Sequence, residues 1–435
     1  MNKIIDIILT ILGILTYELF FTHTRTWDRH KIREYQFKKL KKLLIYSQKC
    51  VPYYTDLFER IHFDPKKDFN CLSDLKKLPV LEKDYVRKNQ SLFYSKQRFA
   101  YRLFFSTSGS TGQPLNARVG ISQWITEQAV VWRSWRHAGY KFRDKVVVIR
   151  SYAPKNSEEI IKKDILRNFH YFSPFHLNTD NMNSYAEYIS VNKIKFIRGY
   201  PSSLEVFAKH IIQRKLKLTH IHGVFTASEV LTKECRKTLE AAFGANVYDY
   251  YGLAEQIVSF SDCRCQNGLR NNDIYGYLEL HRTNDNLYRI VGTNLNNTMM
   301  PLIRYDTGDL AKLSSLSSGC DCQESSHIIE AVIGRSDVTI KTTTGVEIPT
   351  VNFYTVLEHY PVKAWQIVQL DLREISINLH TLENFKNERA LTTRVELDFA
   401  KRLPDDIKIN VKFNKDFIQS TEGKRNAFVS LVYEN

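Results

Sequence analysis

The hydrophobic pattern changes character four times along the chain. It opens with Ile4 to Phe21, apolar except at Asp6, Thr10, Thr16 and Glu18. At about 1.5 Å per residue this stretch predicts a helix of roughly 27 Å, slightly short of a bilayer core of about 30 Å. Asp6, Thr10, Gly13 and Thr16 fall near one helical stripe, so the helix suits lying in the headgroup plane as well as crossing. A hydrophobic helix docked on the protein body fits the same pattern. No small-residue cleavage site follows, which argues against a removed signal peptide. Arg25 to Lys42 then carries eight Lys or Arg against two acids, a cluster expected on the cytoplasmic face of a membrane. Tyr35 to Leu57 continues with helical periodicity, Leu40, Leu43, Leu44 and Tyr46 on one side, and breaks at Val51-Pro52-Tyr53-Tyr54.

Beyond Phe104 the pattern alternates. Helices are predicted at Ser122–Ala138, Tyr185–Ser190, Ser202–Arg214 and Lys233–Phe243, and short buried strands at Lys145–Ile149, Ile194–Ile197 and Gly223–Thr226. Such alternation predicts an α/β sheet with helices on its faces. Ligands of such sheets collect beyond the carboxyl ends of strands, where Gly199-Tyr200-Pro201, Thr226-Ala227-Ser228-Glu229 and Tyr250-Tyr251-Gly252 fall. From Ile274 the character turns to β, with strands expected at Tyr277–His281, Leu287–Val291 and Ile303–Tyr305. A hinge is expected at Gly334-Arg335-Ser336-Asp337. After it come strands at Val338–Lys341, Trp365–Leu370, Glu374–Leu379 and Ile407–Val411, with a helix at Val351–Glu358. The fold class is α/β: a segment 1–24, a large domain 25–335 of α/β sheets plus a β-rich part, and a small mobile α+β domain 336–435.

Composition sharpens this only partly. With 435 residues, 43% of them hydrophobic, the chain can bury a full core in two or more domains. Sixty-two Lys and Arg against 47 Asp and Glu, a net charge of +15, suit an anionic partner such as nucleotide, coenzyme A, acidic glycan or phospholipid. There is no zinc-finger or RNA-binding signature, so no nucleic acid partner is expected. Seven cysteines in this length do not make a disulfide framework.

Five stretches bear on chemistry. Phe104–Pro114, FFSTSGSTGQP, reads as a strand entering a phosphate-cradling loop: Gly109 and Gly112 admit close backbone approach, and Ser106, Thr107, Ser108, Ser110 and Thr111 supply hydroxyls. A flexible surface loop has the same composition. Tyr248–Glu255, YDYYGLAE, offers aromatic faces for a base and a carboxylate for Mg²⁺, or simply a buried aromatic turn. Ile303–Asp309, IRYDTGD, places a turn Asp after Gly where it can accept ribose hydroxyls, or forms a hairpin corner. Ile333–Lys341, IGRSDVTIK, and Ser420–Lys424, STEGK, complete the set; a lysine such as Lys424 is ordinarily solvated. Cys263-x-Cys265 and Cys320-x-Cys322 could supply four thiolates to one tetrahedral Zn²⁺ at about 2.3 Å, with His327 as a substitute for one, or remain reduced surface thiols.

In this order and spacing the five stretches resemble the adenylate-forming (AMP-binding) superfamily of acyl-CoA synthetases, luciferases and nonribosomal adenylation domains. The VPYY segment, Gly199–Leu204 (GYPSSL) and the paired cysteines make the chain most similar to the phenylacetate-CoA ligase and capsule-biosynthesis branch, across about residues 40–430. The resemblance implies that Ser106 to Gly112, Gly109 included, hold the phosphates of ATP. It implies an adenine pocket of Ser228, Glu229, Asp249 and Tyr250 with Tyr251 beside it, Mg²⁺ on Glu255, and the ribose on Asp309. Arg335 would face the nucleotide, Asp337 would be the pivot of the small domain, and Lys424 would bridge the substrate carboxylate and the α-phosphate. Rotation would then bring Lys341 and the Thr344-Gly345 turn toward the acceptor. The branch also carries metal-binding cysteines, which implies structural Zn²⁺ on Cys263, Cys265, Cys320 and Cys322. Two positions depart from the superfamily pattern: Leu115 stands where a basic residue is common, and Ala254 where Thr usually precedes the metal-binding Glu.

The expected activity is ATP-dependent conversion of a small carboxylic acid to an acyl-adenylate, followed by transfer to coenzyme A or to an amino-sugar or glycan acceptor. Trp132, Trp135, His137, Tyr171, Phe172, Phe175 and His176 hint at an aromatic or small apolar acid, although core packing also accounts for them. The expected setting is the cytoplasm, at the inner face of the cell membrane, in capsule or surface polysaccharide synthesis. The alternatives are an aryl-CoA synthetase without that role and a catalytically silent nucleotide-binding relative.

Overall fold

A computed structural model of the chain describes its residues except 1–2, 25, 100–102, 107–114, 151, 153, 155–159, 284–286, 314–327, 336–338, 344–346, 351–352, 354–355, 358, 383–384, 401, 405, 415, 420–424 and 433–435. Two compact units result, Met1–Phe142 with Tyr248–Val332, and Arg143–Val247 with Ile333–Asn435.

In the first unit Asp28 caps the helix Arg29–Cys50, accepting from Lys31 N at 2.8 Å. Its buried stripe of Gln36, Leu40, Leu43, Leu44 and Ser47 follows helical spacing. The helix ends at Val51, and Pro52, tolerated at a first helical position, starts a second helix to Arg60. The second tyrosine of the VPYY stretch has a placing role: the Tyr54 hydroxyl donates to Pro301 O at 3.1 Å and accepts from Ile303 N at 2.9 Å. Leu81 adds two backbone bonds, donating to Arg304 O at 2.8 Å and accepting from Asp306 N at 3.0 Å. The amino-terminal layer therefore fixes the IRYDTGD stretch from two sides. Strands follow in the order Gly276–Arg282, Tyr288–Asn294, Tyr305–Leu313, Ile328–Arg335, Leu269–Asn271, Phe260–Asp262, Val247–Tyr251.

The strand expected at Ile303–Tyr305 instead begins at Tyr305 and runs to Leu313, so Asp309 lies within a strand and not at a turn. Its pairing with Tyr288–Asn294 slips between Arg289 and Val291, which face Leu310 and Asp306. Gly308, at φ +76°, allows the resulting bulge.

The hydrophobic start is helical as expected, Lys3–Thr16 followed by a π-turn Tyr17–Phe21 and one more turn to Thr24. One face is docked on the body: Leu9, Tyr17 and Phe21 are buried, and a Cβ on Gly13 would lie 2.3 Å from Gln128 Cβ in helix Ile121–His137. Gly13 therefore belongs to the docked face, whereas the sequence pattern grouped it with a polar stripe. Ile8, Ile11, Leu12, Leu15 and Leu19 are exposed on the other side.

In the second unit the order is Gly223–Ala227, Phe196–Gly199, Val146–Ile149, Phe169–Phe172, Ile161–Asp164, parallel except for the last. Val147, Ile197 and Val224 lie in register and join Leu204, Phe207, Leu239 and Phe243 from the covering helices in one core. The strands Phe169–Phe172 and Ile161–Asp164 had no sequence signal. The carboxyl-terminal part forms a sheet ordered Lys408–Phe413, Glu374–Thr381, Val362–Asp371, Phe428–Ser430, and helix Glu388–Ala400 buries Leu391, Val395 and Phe399.

Candidate active site

In the first unit, strand Val247–Tyr251 delivers the aromatic stretch to the bulged strand. The Tyr251 hydroxyl donates to Asp309 Oδ2 at 2.6 Å. Burial, and after it the charge of Asp309, hold that hydroxyl well above the usual tyrosine range, so it stays a donor. Beside them Glu255, 2% exposed, accepts from Tyr305 Oη at 2.9 Å and pairs with Lys83 Nζ at 3.4 Å, both on Oε1. Lys83 Nζ also donates to Thr307 O at 3.3 Å. Tyr251, Glu255 and Asp309, far apart in sequence, thus share one buried polar cluster. An anionic carboxylate of this kind suits a hard cation such as Mg²⁺, an oxygen-seeking ion. Lys83 and Tyr305 complete the cluster, and neither was singled out from sequence; Lys83 sits in an ordinary Leu-Glu-Lys-Asp stretch without any marker.

Tyr250 is positioned separately. Its hydroxyl donates to Glu127 Oε1 at 3.1 Å, and that of Tyr275 donates to Glu127 Oε2. Burial raises the Glu127 carboxyl above its usual range while the two tyrosines oppose the shift. Asp249 is held through its backbone N–H, which donates to Asp262 Oδ2 at 2.7 Å.

In the second unit, the loop after strand Gly223–Ala227 carries Ser228, exposed and at φ +72°, a left-handed backbone unusual for a residue with a side chain. Next to it, Glu229 accepts from Ser202 N at 2.9 Å, Ser202 Oγ at 3.0 Å and Arg425 N at 2.7 Å. The carboxylate therefore sits at the start of helix Pro201–Gln213 and reaches the residue that follows Lys424. Gln366, buried in strand Val362–Asp371, donates to Ile418 O at 2.8 Å and Asn426 O at 2.9 Å and accepts from Ile418 N at 2.9 Å. An antiparallel bridge joins Gln419 to Arg425. Gln366 was not anticipated; its only sequence signal is an amide inside the buried run Trp365–Leu370.

Ser106 ends strand Leu103–Ser106, which pairs with Asn116–Val119, so the glycine-rich stretch connects two neighbouring antiparallel strands. Thr107, Ser108, Gly109, Ser110, Thr111, Gly112, Asp337, Cys320, Cys322, His327 and Lys424 lie outside the described residues, as does the Thr344-Gly345 turn. The backbone of Arg335 closes strand Ile328–Arg335.

For zinc, Cys263 is buried and Cys265 half-buried in the turn after strand Phe260–Asp262. Asp262 pairs with Leu269, and strand Ile328–Arg335 starts opposite Arg270 and passes Leu269 at Ile329, so it runs toward the end of the sheet where this turn lies. Among the described residues alone, no group of three or more His, Cys, Asp or Glu could hold a metal ion. The aromatics named for an acid pocket largely pack: Trp132 and Trp135 meet Tyr140 edge-on at 5.3 and 5.1 Å, and Phe172 stacks on Tyr185 at 4.2 Å.

No protein-family profile matches the chain. Protein CapK of Staphylococcus aureus is 22% identical over 414 residues, 91% of this chain and 88% of that protein. The phenylacetate-coenzyme A ligase of Thermus thermophilus is 24% identical over 383 residues, 81% and 83% of the two chains. That of Pseudomonas putida reaches 28% over 299 residues, 65% and 66%. Among solved structures, 2-hydroxyisobutyryl-CoA ligase with an acyl-adenylate in the postadenylation state superposes with a TM-score of 0.65 at 16% identity, covering 94% of this chain and 91% of that one. The thioesterification state of the same ligase gives 0.56 at 17% identity, over 94% and 92%.

Proposed function

From its membership of the adenylate-forming superfamily, in the branch of phenylacetate-CoA ligases and CapK, we propose that this protein is an acyl-CoA ligase that couples ATP to activation of a small carboxylic acid. The observation that carries the reading is the buried cluster of Tyr251, Asp309, Glu255 and Lys83: two carboxylates, one in the turn after strand Val247–Tyr251 and one presented by a glycine bulge, where a nucleotide's ribose needs an acceptor and its metal a ligand. Asp309 accepts the ribose hydroxyls, and Tyr251 orients it. Glu255 would hold Mg²⁺, which when bound offsets phosphate charge; the protein's part is to keep the carboxylate buried and fixed by Tyr305 and Lys83. Lys424 stabilises the charge that develops as pyrophosphate leaves, and coenzyme A takes the acyl group. Cys263, Cys265, Cys320 and Cys322 bind a structural zinc.

A role in surface polysaccharide synthesis, with an amino-sugar or glycan acceptor, is the second reading, favoured by the likeness to CapK along nearly the whole chain. The exposed apolar face of Ile8, Ile11, Leu12, Leu15 and Leu19, followed by exposed Arg29, Lys31 and Arg33, supports docking on the inner face of the cell membrane. The burial of Leu9, Gly13, Tyr17 and Phe21 against the protein supports a helix that lies along the membrane surface. Acceptor choice tests the two readings. Acid-dependent coenzyme A thioester formation supports the ligase; pyrophosphate release that needs an amino sugar and no coenzyme A supports the second. Pelleting with phosphatidylglycerol vesicles tests the docking, which Leu15→Ser with Leu19→Ser should abolish; unchanged pelleting would count against it.

A further inference from the structure

We propose that Glu229, in place of the adenine-lining role that the resemblance implies for it, is a positioning residue for the chain that carries Lys424, and that its hold at Arg425 favours the adenylating half-reaction over the transferring one. The inference rests on the ligase reading and deepens it. The donating amide of Arg425 belongs to the peptide bond that Lys424 forms with it, so whatever fixes that amide fixes the chain immediately after the lysine.

Glu229 is suited to do so. Its Oε2 accepts from Ser202 N at 2.9 Å, and its Oε1 from Ser202 Oγ at 3.0 Å, before Arg425 N at 2.7 Å is added. Two bonds thus orient the carboxylate from the first turn of helix Pro201–Gln213, where the helix dipole also favours negative charge. The third is left to hold the carboxyl-terminal chain, as a charge-assisted bond stronger than an amide–amide one. From the other side Gln366 clamps Ile418 and Asn426, on both flanks of the STEGK stretch, with three bonds of 2.8 to 2.9 Å. Ile367 N donating to Ala427 O at 2.9 Å carries the same strand onward. Gln366 therefore ties the two chain ends that flank Lys424 to its own strand, and Glu229 ties Arg425 to the loop that carries Ser228. In the ligase reading the lysine serves the first half-reaction, so that step is the one that needs the contact at Arg425.

Glu229→Gln tests this, because it keeps the size of the side chain but leaves one acceptor oxygen for three donors. Amide hydrogen exchange at Arg425 should quicken by about tenfold or more while Ile367 holds its rate. ATP–pyrophosphate exchange, with the best acid of a panel led by phenylacetate, should lose about tenfold in kcat at unchanged KM for ATP. Transfer from preformed phenylacetyl-adenylate to coenzyme A should stay within about twofold. Ser202→Ala should move the same quantities in the same direction by less. Unaltered exchange at Arg425, equal loss in both half-reactions, or a raised KM for ATP with kcat intact would each overturn the proposal, the last by placing Glu229 on the adenine. If the unaltered protein showed no acid-dependent exchange, the ligase reading would fail and the proposal with it, yet the Arg425 amide would still report whether the contact forms.

Discussion

Tyr251 donates its hydroxyl to Asp309 at 2.6 Å, tying the end of one strand to the residue just past a glycine bulge in another. The bond orients the carboxylate. Asp309→Asn should raise KM for ATP by about tenfold or more, and Tyr251→Phe by about threefold, with little change in thermal stability for either. Steady-state kinetics over ATP concentration checks the order; equal effects would mean that Tyr251 itself touches the nucleotide.

Lys83 and Glu255 are both buried, at 7% and 2% side-chain exposure, and 3.4 Å apart. Removing one partner strands a charge, so Lys83→Met should cost about 3–5 kcal/mol, visible as a lower urea midpoint. The pair Lys83→Met with Glu255→Gln should recover part of that loss. A double variant as unstable as the sum of the singles would show that the two residues do not interact.

His170 sets a pH dependence. Its Nδ1 lies 2.8 Å from Tyr188 Oη, its Nε2 is buried without a partner, and burial followed by the charges of Lys163 and Lys145 lowers its pKa to about 4. The folded state keeps the ring neutral, whereas the unfolded chain protonates it near 6.5. The unfolded state thus binds more protons between those values, and stability falls as pH drops from about 6.5 toward about 4. His170→Gln should flatten that part of the melting-temperature profile.

Gly13 allows the amino-terminal helix to approach Gln128, where a Cβ would come within 2.3 Å. Gly13→Leu should lower stability by about 1–3 kcal/mol and open the helix to protease near Tyr17. An undisturbed melting curve would show that the docked face carries no weight.

Cys263 and Cys265 lead to a metal prediction. Purified protein should carry about one zinc per chain, and Cys263→Ser should lose it together with several degrees of melting temperature. Elemental analysis showing no zinc in the unaltered protein would contradict the four-thiolate site.

Much of the α/β half was legible because local signals agreed there. Helix Lys233–Phe243 has Thr232 as its cap and Gly244, at φ +61°, as its stop, and Val146–Ile149 is a short buried run. Helix Thr179–Val191 was read six residues late at its start, where Asn178 accepts from Asn181 N but no apolar spacing marks the first turn. Asp309 was found as a chemical group and misplaced as geometry, since a bulge is a property of two strands and not of one. Lys83, Glu127 and Gln366 were invisible for a related reason: their roles depend on partners 172, 123 and 52 positions away, measured to Glu255, Tyr250 and Ile418. Nothing in the adjacent residues announces such a partner.

The central claim is acid activation through an adenylate, and ATP–pyrophosphate exchange reads it directly. Screened over aryl, hydroxy, amino and fatty acids, the protein should return labelled pyrophosphate into ATP with at least one acid, and Lys424→Ala should abolish the exchange while still binding ATP. No acid-dependent exchange across the panel, or exchange that survives Lys424→Ala, would contradict the account.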